Sequence, residues 1–481
     1  MLLSQRHIDA FSALSLDRNP LHMDADYCRR TQFGRPVVFG MAVILAILGE
    51  WAKGRRFSLK SIKADFHKPV FPDEVLELKL QEEDGLVRVE VLKGTAPKLA
   101  LVFQHAPAGQ KEQQALQGPI VPLESAAETP QTALFQGPLQ YALDPGSLPR
   151  FADIFRLSSD QLPLNQWNAL CFFSYLVGMV CPGRQALFSA FSASFEAGSG
   201  APHAYKLACK PRPSIRMHTL TGSGWALKSF TASAFERPVP KDDPIDTLDI
   251  LPGKEFASKT VLVTGSSRGL GAVLTKTFAL KGADVIVHYH RSKAEAERVF
   301  SEAQRHSPKP LLAGADLTDA PACAALADAV RKKYGKLDIL VLSASPVIEA
   351  RSFSEQTIEE FLSFARASLS AALTPARALL PLTRTIVAIS SQYASAPRPL
   401  FSHYAAAKRA LEGALESLAK EETEKRFLVF RLPRILTDQT NAPFSLEKLA
   451  SPAAASSRIV QELSAPWDGP NFKTVELDLS D

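Results

Sequence analysis

One short segment, residues 260–271, constrains the fold of this chain more than any other. It starts as the β-branched run Thr-Val-Leu-Val, continues as the turn Thr-Gly-Ser-Ser-Arg-Gly-Leu-Gly, and leads into an apolar helical pattern ending near Lys281. A strand, a glycine-rich turn and a helix in this order let backbone N–H groups approach a pyrophosphate at the start of the helix. The segment therefore predicts a dinucleotide-binding turn.

Strand-like runs alternate with helical patterns after this turn, at residues 284–288, 311–315, 339–342, 385–389 and 427–431. Such alternation is typical of a parallel sheet covered by helices on both faces. A glycine-rich turn alone would be a weak signal, but the regular alternation strengthens it. Residues 255–481 are therefore predicted to form an α/β Rossmann unit, a doubly wound parallel sheet.

This unit resembles the short-chain dehydrogenase/reductase family, and most closely its 3-oxoacyl-thioester ketoreductases. The matching residues are the glycine turn, Asp316-Leu317 after the third strand, and Tyr404-x-x-x-Lys408 with Ser391 at the family's interval before Tyr404. The resemblance implies that Ser391, Tyr404 and Lys408 are catalytic. It also implies cofactor contacts by residues of the turn and of the next two strand ends: Gly265, Ser267, Arg268, Gly269, Leu270, Gly271, Arg291, Ser292, Asp316 and Leu317.

The residue types suit hydride-transfer chemistry. Tyr404 and Lys408 are four residues apart, so on a helix they share one face. A free tyrosine has a pKa of about 10, and a neighbouring ammonium group stabilises the phenolate and allows proton exchange with a substrate oxygen. Ser391 would hydrogen-bond that oxygen while hydride arrives from a nicotinamide. The alternative is that Tyr404 and Lys408 are ordinary surface residues.

The charge at the end of the second strand predicts the cofactor. NAD-selective sheets usually place an acid there to bind the ribose hydroxyls. This chain has His-Tyr-His-Arg-Ser at 288–292, without an acid, and Arg291 and Arg268 can pair with a 2′-phosphate. We therefore predict NADPH.

Three positions depart from the family. Its Asn-Asn-Ala-Gly after the fourth strand is Leu-Ser-Ala-Ser at 342–345, its relay asparagine is Ser368, and its Pro-Gly after the sixth strand is Pro-Arg at 433–434. These changes keep open the alternative that the unit binds NADPH without catalysing reduction.

The N-terminal part of the chain combines a polar turn with a strongly apolar helix. The run Leu-Asp-Arg-Asn-Pro-Leu-His at 16–22 is followed by Phe-Gly-Arg-Pro at 33–36 and by a pattern that is apolar nearly all round to Trp51. Such a helix must be wrapped by other structure. Alternating runs that follow predict strands, and residues 1–105 are therefore predicted to form one helix wrapped by a curved antiparallel sheet; the runs are 57–66, 74–81, 86–91 and 99–104.

These residues, with Lys-Pro-Val-Phe-Pro at 68–72, resemble the MaoC-like hot-dog family of (R)-specific enoyl-thioester hydratases and dehydratases. The resemblance implies that Asp17 and His22 are catalytic and that Asn19 is structural, and it places Phe39 where the family usually has histidine. A carboxylate and an imidazole can act as acid and base in turn, and a backbone N–H near Gly40 can stabilise an enolate oxygen. The alternative is a helix cap, a turn and an exposed histidine.

Residues 136–237 repeat the first unit in degenerate form. Asp-Gln-Leu-Pro-Leu-Asn at 160–165 matches the spacing of 17–22, and Gly178-Met179 in a following apolar helix echoes Gly40-Met41. Asn165 replaces the catalytic histidine and Leu162 the structural asparagine. We therefore predict an α+β double hot-dog with one working centre, unless the short match is coincidence. Proline-rich stretches at 106–134 and 238–258 are predicted linkers.

Composition excludes other classes of function. A net charge of +5 with interspersed signs is too mild to indicate nucleic acid binding. The N-terminus lacks a signal-peptide pattern, and the apolar runs are shorter than the roughly 20 residues that span a bilayer. The dispersed cysteines indicate a reducing cytoplasm and argue against a disulfide framework and against a zinc or other metal site; they are Cys28, Cys171, Cys181, Cys209 and Cys323.

A group of basic residues flanks the first apolar helix. It either meets coenzyme A phosphates or the acidic face of an acyl carrier protein, or is an ordinary solvated surface; its members are Arg29, Arg30, Arg35, Lys53, Arg55 and Arg56.

The two resemblances together imply a bifunctional enzyme. It would reduce a 3-oxoacyl thioester of acyl carrier protein or coenzyme A with NADPH and dehydrate the (3R)-hydroxyacyl product, as in fatty-acid-like or polyketide biosynthesis. The same sites run in reverse would give an enoyl-CoA hydratase and a (3R)-hydroxyacyl-CoA dehydrogenase of β-oxidation. A third hypothesis is a dehydratase with a non-catalytic NADPH-binding module. We expect a homo-oligomer through the reductase unit.

Overall fold

The computed structural model describes residues 1–108, 123–196, 201–239, 242–440, 442, 449–467 and 469–479. These residues fall into two compact units that divide after Val239, with Ala442 grouped with the first unit. None of the helices in these ranges is both long and apolar enough to cross a membrane.

The first unit contains two halves with similar elements. The first half comprises α1 (Gln5–Ser15), α2 (Pro20–Met23), α3 (Ala25–Arg29), α4 (Gly40–Ala52), β1 (Phe57–Phe66), β2 (Glu77–Glu83), β3 (Leu86–Lys93) and β4 (Ala96–Pro107). The second comprises β5 (Leu139–Gln140), α5 (Leu148–Phe155), α6 (Leu164–Tyr175), β6 (Ala186–Phe195), β7 (Ala204–Arg212), β8 (Met217–Gly224) and β9 (Leu227–Glu236).

All nine strands described in this unit form one sheet in the order β2-β3-β4-β1-β6-β9-β8-β7-β5. The halves join where β1 pairs antiparallel with β6, with Ser61 opposite Ser194 and Asp65 opposite Ala190. The sheet wraps α4 and α6, whose side chains are almost all buried, as expected for helices that are apolar on every face. The predicted α+β double hot-dog fold is confirmed.

The two halves differ before their central helices. Helix α5 begins as many residues before Asp160 as α1 begins before Asp17, which supports the repeat. In the second half, however, the chain passes from the repeated motif directly into α6, whereas α2, α3 and a loop separate the motif from α4 in the first half. Gly40 opens α4, but Gly178 lies in a π-helical turn, Leu176–Val180, after α6. Gly178-Met179 is therefore not the counterpart of Gly40-Met41, and that part of the predicted repeat is wrong.

The second unit is a seven-stranded parallel sheet in the order β12-β11-β10-β13-β14-β15-β16. Its strands are β10 (Thr260–Val263), β11 (Asp284–Tyr289), β12 (Leu311–Gly314), β13 (Leu337–Leu342), β14 (Thr383–Ser391), β15 (Arg426–Leu432) and β16 (Phe472–Glu476). Its helices are α7 (Gly269–Leu280), α8 (Lys293–Ala303), α9 (Ala320–Tyr334), α10 (Ile358–Leu379), α11 (Ser402–Glu421) and α12 (Pro452–Ser464).

Separate apolar clusters cover the two faces of this parallel sheet. Alternate residues of β10 enter different clusters: Val261 and Val263 pack with α7 and α12, and Leu262 packs with α9, α10 and α11. Side chains alternate between the faces of a strand, so this division shows helices on both sides. The predicted doubly wound Rossmann sheet is confirmed.

The predicted linkers have some structure of their own. Residues 109–122 lie outside the described residues, but a 3-10 turn spans Thr132–Gln136. In the other stretch, a 3-10 turn at Ile245–Thr247 buries Ile245 against Val273 and Leu280 of the second unit. The prediction of a plain linker at 238–258 is therefore wrong for this part, because its apolar side chains pack on α7.

Candidate active sites

Asp17 lies in the buried turn that follows α1. Its side chain is 1% exposed, its Oδ1 accepts the Asn19 N–H at 3.0 Å, and its Oδ2 accepts the Ser174 hydroxyl at 2.7 Å. Burial disfavours the charged carboxylate and raises the pKa of Asp17 to about 7, although the hydrogen bonds from Ser174 and Asn19 oppose this shift. The carboxyl group can therefore hold or release a proton near neutral pH.

Asn19 connects this turn to the second half of the unit. It is the N-cap of α2, where its Oδ1 accepts the Leu21 N–H at 3.0 Å. Its Nδ2 donates to the carbonyl oxygens of Gly178 at 2.8 Å and Gly183 at 3.0 Å. All its principal hydrogen-bonding atoms are thus engaged in holding the motif in place, which fits the structural position that the resemblance implies.

His22 presents one ring nitrogen for chemistry. Its Nδ1 lies 2.6 Å from the Val37 carbonyl oxygen. A carbonyl only accepts hydrogen bonds, so Nδ1 carries the proton and Nε2 keeps its lone pair. Burial disfavours the imidazolium and lowers the pKa of His22 to about 4. His22 is therefore neutral at pH 7, with Nε2 free to take up a proton.

Phe39 packs directly on this histidine. The two rings stack with centroids 3.8 Å apart and planes 29° apart, and Phe39 also contacts Phe11 at 4.9 Å. An aromatic ring on the imidazole face adds to the desolvation of His22 and fixes the orientation of the ring. The unusual residue at this position therefore has a packing role.

The second half supplies two residues that the sequence did not identify as part of this site. Ser174 donates to Asp17, and a Cβ atom at Gly178 would lie 2.5 and 2.6 Å from the two Asp17 carboxylate oxygens. Only glycine at position 178 leaves room for the acid as it is placed. Ser174 is a rare polar residue within the apolar run 169–183, and this is the sequence feature that could identify it as part of the site.

Gly40 lies where an oxyanion donor is expected. It is the first residue of α4, and the N–H groups of a first helical turn have no acceptor within the helix. A Cβ at this position would approach the Phe66 ring to 2.6 Å, so a larger residue would displace that ring.

The degenerate motif has a different environment. Asp160 is exposed, and its carbonyl oxygen accepts from Arg56 at 3.1 Å. Asn165 uses its Oδ1 to bind the N–H of Gln166 at 2.8 Å, and Leu162 is fully buried in the core. An exposed acid beside an amide cannot perform the acid–base chemistry described for Asp17 and His22.

The predicted basic group does not form one cluster. Arg29, Arg30 and Arg35 precede α4, whereas Lys53, Arg55 and Arg56 follow it, and a helix of this length separates them by about 20 Å. Several also have local partners: Arg35 lies over the Phe71 ring at 3.9 Å and Arg55 over the Trp51 ring at 4.4 Å. The group is therefore divided between the two ends of α4, which it flanks as predicted.

The glycine turn of the second unit has the backbone geometry that its sequence predicts. Gly265 and Gly269 adopt positive φ values of +68° and +55°, a region that L-residues with side chains seldom occupy. A Cβ at Gly271 would lie 2.3 Å from the Gly265 carbonyl oxygen, so glycine allows the turn and helix to pack closely. Arg268 is the N-cap of α7, Ser267 precedes it, and Leu270 is the second residue of the helix. The positive end of the helix dipole therefore lies at this turn.

His288 holds the turn in place and was not singled out from the sequence. Its Nδ1 accepts the Gly265 N–H at 3.1 Å, so its Nε2 carries the proton and donates to the Ala315 carbonyl at 3.1 Å. Burial lowers the pKa of His288 to about 4, which keeps the ring neutral as this arrangement requires. The sequence feature that could identify His288 is its place as a polar residue at the end of the predicted strand 284–288.

The other predicted cofactor residues follow β11 and β12. Arg291 is exposed, whereas Ser292 and Leu317 are buried. Asp316 accepts from the N–H and hydroxyl of Thr318 at 2.9 and 2.7 Å, and these hydrogen bonds lower its pKa. Arg291 thus brings positive charge to the end of β11, and the Asp316 carboxylate after β12 brings negative charge beside it, with its Oδ2 3.6 Å from the Nε2 of His290.

Ser391, Tyr404 and Lys408 are brought together at the ends of β14 and α11. A hydrogen bond with Ser391 lowers the pKa of Tyr404, but burial outweighs it and raises the pKa to about 12. The Lys408 Nζ lies 5.7 Å from the Tyr404 ring centre and donates to the Ile389 carbonyl at 2.8 Å. Burial lowers the pKa of Lys408 to about 8, opposed by the negative charge of Glu412. Tyr404 thus retains its proton at neutral pH.

The loop that departs from the family pattern is held by Thr264. Its hydroxyl donates to the Val341 carbonyl at 3.2 Å and accepts the N–H groups of Ser343 and Ala344 at 2.9 and 3.1 Å. The Leu-Ser-Ala-Ser sequence is therefore still anchored beside the glycine turn. Ser368, at the relay position, is buried on α10.

Comparisons with known proteins agree with both folds. Residues 1–102 match the family model described as a MaoC like domain, and residues 259–442 match that of the short chain dehydrogenases.

A 3β-hydroxysteroid dehydrogenase 1 of Eggerthella lenta is 28% identical over 215 residues, which are 43% of this chain and 80% of that protein. A short-chain dehydrogenase/reductase of a Cladobotryum species is 32% identical over 176 residues, 35% of this chain and 67% of that protein. A solved short-chain dehydrogenase of Burkholderia cenocepacia in complex with NADP is 24% identical, with 47% of this chain and 98% of that chain covered and a TM-score of 0.43.

The parallel sheet with its glycine turn and Ser-Tyr-Lys arrangement defines a nucleotide-binding oxidoreductase, here joined to a hot-dog unit with a buried acid and a half-buried base. The chain belongs to the short-chain dehydrogenase/reductase family through its C-terminal unit and carries a MaoC-like dehydratase domain at its N-terminus. These domains imply two enzyme activities.

Proposed function

We propose that this protein reduces 3-oxoacyl thioesters with NADPH and dehydrates the resulting (3R)-hydroxyacyl thioesters to trans-2-enoyl thioesters. The observation that carries the proposal is the arrangement of acid–base groups at each site: Asp17 held by Ser174 and Asn19 near His22 in the chain, and Tyr404 beside Lys408 and Ser391. Burial raises the pKa of Asp17 to about 7 and that of Tyr404 to about 12. Both sites thus have a proton donor for a substrate oxygen: Tyr404 for a ketone and Asp17 for a leaving hydroxyl.

In the dehydration step, the neutral Nε2 of His22 removes the proton at the α-carbon of the thioester. The electrons of that C–H bond form the new double bond as the bond from the β-carbon to its hydroxyl breaks. Asp17 gives its proton to the departing hydroxyl, which leaves as water. The developing negative charge on the thioester oxygen is stabilised by the N–H groups at the start of α4, near Gly40.

In the reduction step, Ser391 and Tyr404 bind the ketone oxygen. Ser391 accepts the Tyr393 N–H at 3.1 Å, so its own hydroxyl hydrogen can be donated to the substrate. Tyr404 transfers its proton to the same oxygen, and the charge of Lys408 stabilises the phenolate that remains. NADPH, when bound, supplies the hydride to the carbonyl carbon.

The turn fits the phosphates of such a cofactor, because the N–H groups at the start of α7 have no acceptor within the helix and the positive end of the helix dipole lies there. Arg268 and Arg291 would hold a 2′-phosphate, and Ser267, Gly269, Leu270, Ser292, Asp316 and Leu317 would line the rest of the site. The absence of an acid at 288–292 supports NADPH rather than NADH.

The proposed cofactor supports the direction of the reaction. NADPH is the cofactor expected for reduction, and the end of the second strand lacks the acid that NAD-selective sheets place there. This favours a biosynthetic role over the β-oxidation alternative. The carrier, either coenzyme A or acyl carrier protein, a homo-oligomer through the reductase unit and a cytoplasmic location remain part of the proposal.

Two variants test the proposal with 3-oxoacyl thioesters of several lengths on both carriers. Tyr404→Phe should lose NADPH-dependent reduction by a factor of about 10² to 10⁴, yet still dehydrate a supplied (3R)-hydroxyacyl thioester. His22→Ala should reduce normally and accumulate the 3-hydroxyacyl product, as measured by mass spectrometry. Reduction that is unchanged in Tyr404→Phe would favour the non-catalytic module, and faster NADH production than NADPH consumption would favour β-oxidation.

A further inference from the structure

Three potential metal ligands meet in the second half of the hot-dog unit. The Sγ atoms of Cys181 and Cys209 are 3.8 Å apart, and the Nδ1 of His218 lies 3.9 Å from the first sulfur and 3.8 Å from the second. Cys181 and His218 are buried and Cys209 is half-buried. The dispersed cysteines of the sequence predicted no metal site, but the fold brings these donors together.

The triangle that these atoms form has the size of one face of a zinc tetrahedron. Zinc binds thiolate sulfur at about 2.3 Å and imidazole nitrogen at about 2.0–2.1 Å. With tetrahedral angles, these lengths place two sulfurs about 3.8 Å apart and a sulfur and a nitrogen about 3.6 Å apart. The observed separations therefore need only a small adjustment of His218 to place all three atoms on one ion.

The imidazole also has the partner that zinc-bound histidines usually have. The Nε2 of His218 lies 2.9 Å from the Glu236 carboxylate. A carboxylate on this nitrogen keeps the proton on Nε2 and leaves the Nδ1 lone pair directed at the two sulfurs. The contact between His218 and Glu236 does not involve the cysteines. It fixes the ring in the tautomer that a metal ligand needs, with the Nδ1 lone pair free.

The sheet register accounts for how the site is built. Cys209 on β7 pairs with Leu220, and His218 on β8 pairs with Pro211, so the two donors are diagonal neighbours on one face of the sheet. His218 is opposite Ala234, and Glu236 lies two residues further along β9 on that same face. Cys181 reaches the two strands from the end of the π-helical turn that follows α6.

We propose that Cys181, Cys209 and His218 bind one Zn²⁺ ion, with Glu236 orienting the histidine and a water molecule completing the tetrahedron. Among the described residues the group has three ligands, which leaves one position for water. Thiolate and imidazole donors favour zinc over magnesium or calcium.

Such an ion would act on the neighbouring candidate dehydratase centre by fixing a segment of backbone. Cys181 lies between Gly178 and Gly183, whose carbonyl oxygens both accept the side-chain amide of Asn19. Gly178 also borders the Asp17 carboxylate. Zinc would thus anchor residues 178–183 to β7 and β8 and hold the surface against which the acid rests.

A Cys181–Cys209 disulfide is the competing explanation. A disulfide would require the sulfurs to approach from 3.8 Å to about 2.05 Å. It would also leave the Nδ1 of His218 without a function, whereas a metal ion uses all three donors and the Glu236 contact. The arrangement therefore favours the ion.

The test starts from the full-length protein, purified in reducing buffer without chelator and dialysed against Zn²⁺. Elemental analysis should find about one zinc per chain, and exchange with Co²⁺ should produce a thiolate-to-cobalt charge-transfer absorption. Cys209→Ser and His218→Ala should both lose the metal. Cys323→Ser changes a buried cysteine of the other unit and is the matched control, which should retain it.

Two further measurements do not depend on those variants folding. Glu236→Gln should load zinc at saturating concentration but bind it about 10- to 100-fold more weakly. In the wild type, removal of zinc should speed amide hydrogen exchange in residues 178–183. The proposal would be overturned by zinc-free wild type after dialysis, by metal retained in both ligand variants, or by a Cys181–Cys209 disulfide in non-reducing peptide mass spectrometry. None of these results depends on either enzymatic activity, so they leave the proposed function to its own test.

Discussion

The two candidate catalytic centres handle a proton in different ways, although burial dominates both. At the first, burial raises the pKa of Asp17 to about 7 and lowers that of His22 to about 4, so their order is reversed relative to free side chains. At the second, burial raises the pKa of Tyr404 to about 12 and lowers that of Lys408 to about 8. Asp17 is thus poised near neutrality, whereas Tyr404 is a firm proton donor.

This difference separates what the two groups can do at neutral pH. A donor with a pKa near 7 can give or regain its proton at little cost, so the first centre is suited to a reversible proton transfer. A tyrosine with a pKa near 12 is protonated throughout the neutral range and is ready to give its proton to a substrate oxygen. The two centres should therefore respond differently to pH and to substitution of their neighbours.

The largest expected effect concerns the glycine beside the acid. Gly178→Ala places a Cβ within 2.6 Å of both Asp17 carboxylate oxygens, so the acid must move. A displacement of about 1 Å can cost about 100-fold in rate, and we expect at least that loss in dehydration with reduction unchanged. Gly137→Ala is the control, because a Cβ there meets nothing within 4 Å. Equal dehydration rates in the two variants would contradict the placement of Asp17.

The pH dependence should separate the two centres next. Dehydration needs Asp17 protonated and His22 neutral, so its rate should fall as pH rises above about 7 and as it drops below about 4. Reduction needs charged Lys408, so it should hold to about pH 8 and then fall. On each limb of these profiles, the rate should change by about tenfold per pH unit. Superimposable profiles measured with separate substrates would remove the contrast between the centres.

The cofactor site should show a moderate effect. Hydrogen bonds to charged groups contribute about 1.5–3 kcal/mol, so Arg291→Ala should weaken NADPH binding by about tenfold or more and leave NADH binding nearly unchanged. Arg298→Ala alters another exposed arginine on the following helix and should change neither. Loss of NADPH and NADH binding to the same extent in Arg291→Ala would argue against recognition of a 2′-phosphate.

The smallest effects should come from substituting one neighbour at each centre, whose interaction shifts the pKa in the direction opposite to burial. Ser174 lowers the pKa of Asp17, so Ser174→Ala should move the alkaline limb of dehydration to higher pH. Glu412 raises the pKa of Lys408, so Glu412→Gln should move the limb of reduction to lower pH. Glu412 also binds Arg431 at 2.7 Å, so thermal unfolding of that variant is followed in parallel. Limbs that stay in place, or that both move in one direction, would contradict the assigned causes.

The sequence by itself determined the elements and the order of the two folds. Strand β1 at Phe57–Phe66 and strand β10 at Thr260–Val263 have the predicted bounds. The reason is that alternation, apolar runs and glycine turns are local properties of the chain. Most of the predicted catalytic residues also come from short motifs: Asp17 and His22 lie in one turn region, and Tyr404 and Lys408 lie on one face of α11. Ser391 comes instead from the end of β14, at a fixed interval before Tyr404.

Only the tertiary structure decided which distant residues complete those motifs. Ser174 and Gly178 reach Asp17 from the other half of the unit, and Cys181 and His218 approach Cys209 across the sheet. The same holds for Phe39, whose stacking on His22 explains a residue that had no evident role in the sequence. These contacts depend on strand register and on how α6 packs, and both are set by burial of the whole core rather than by any local pattern.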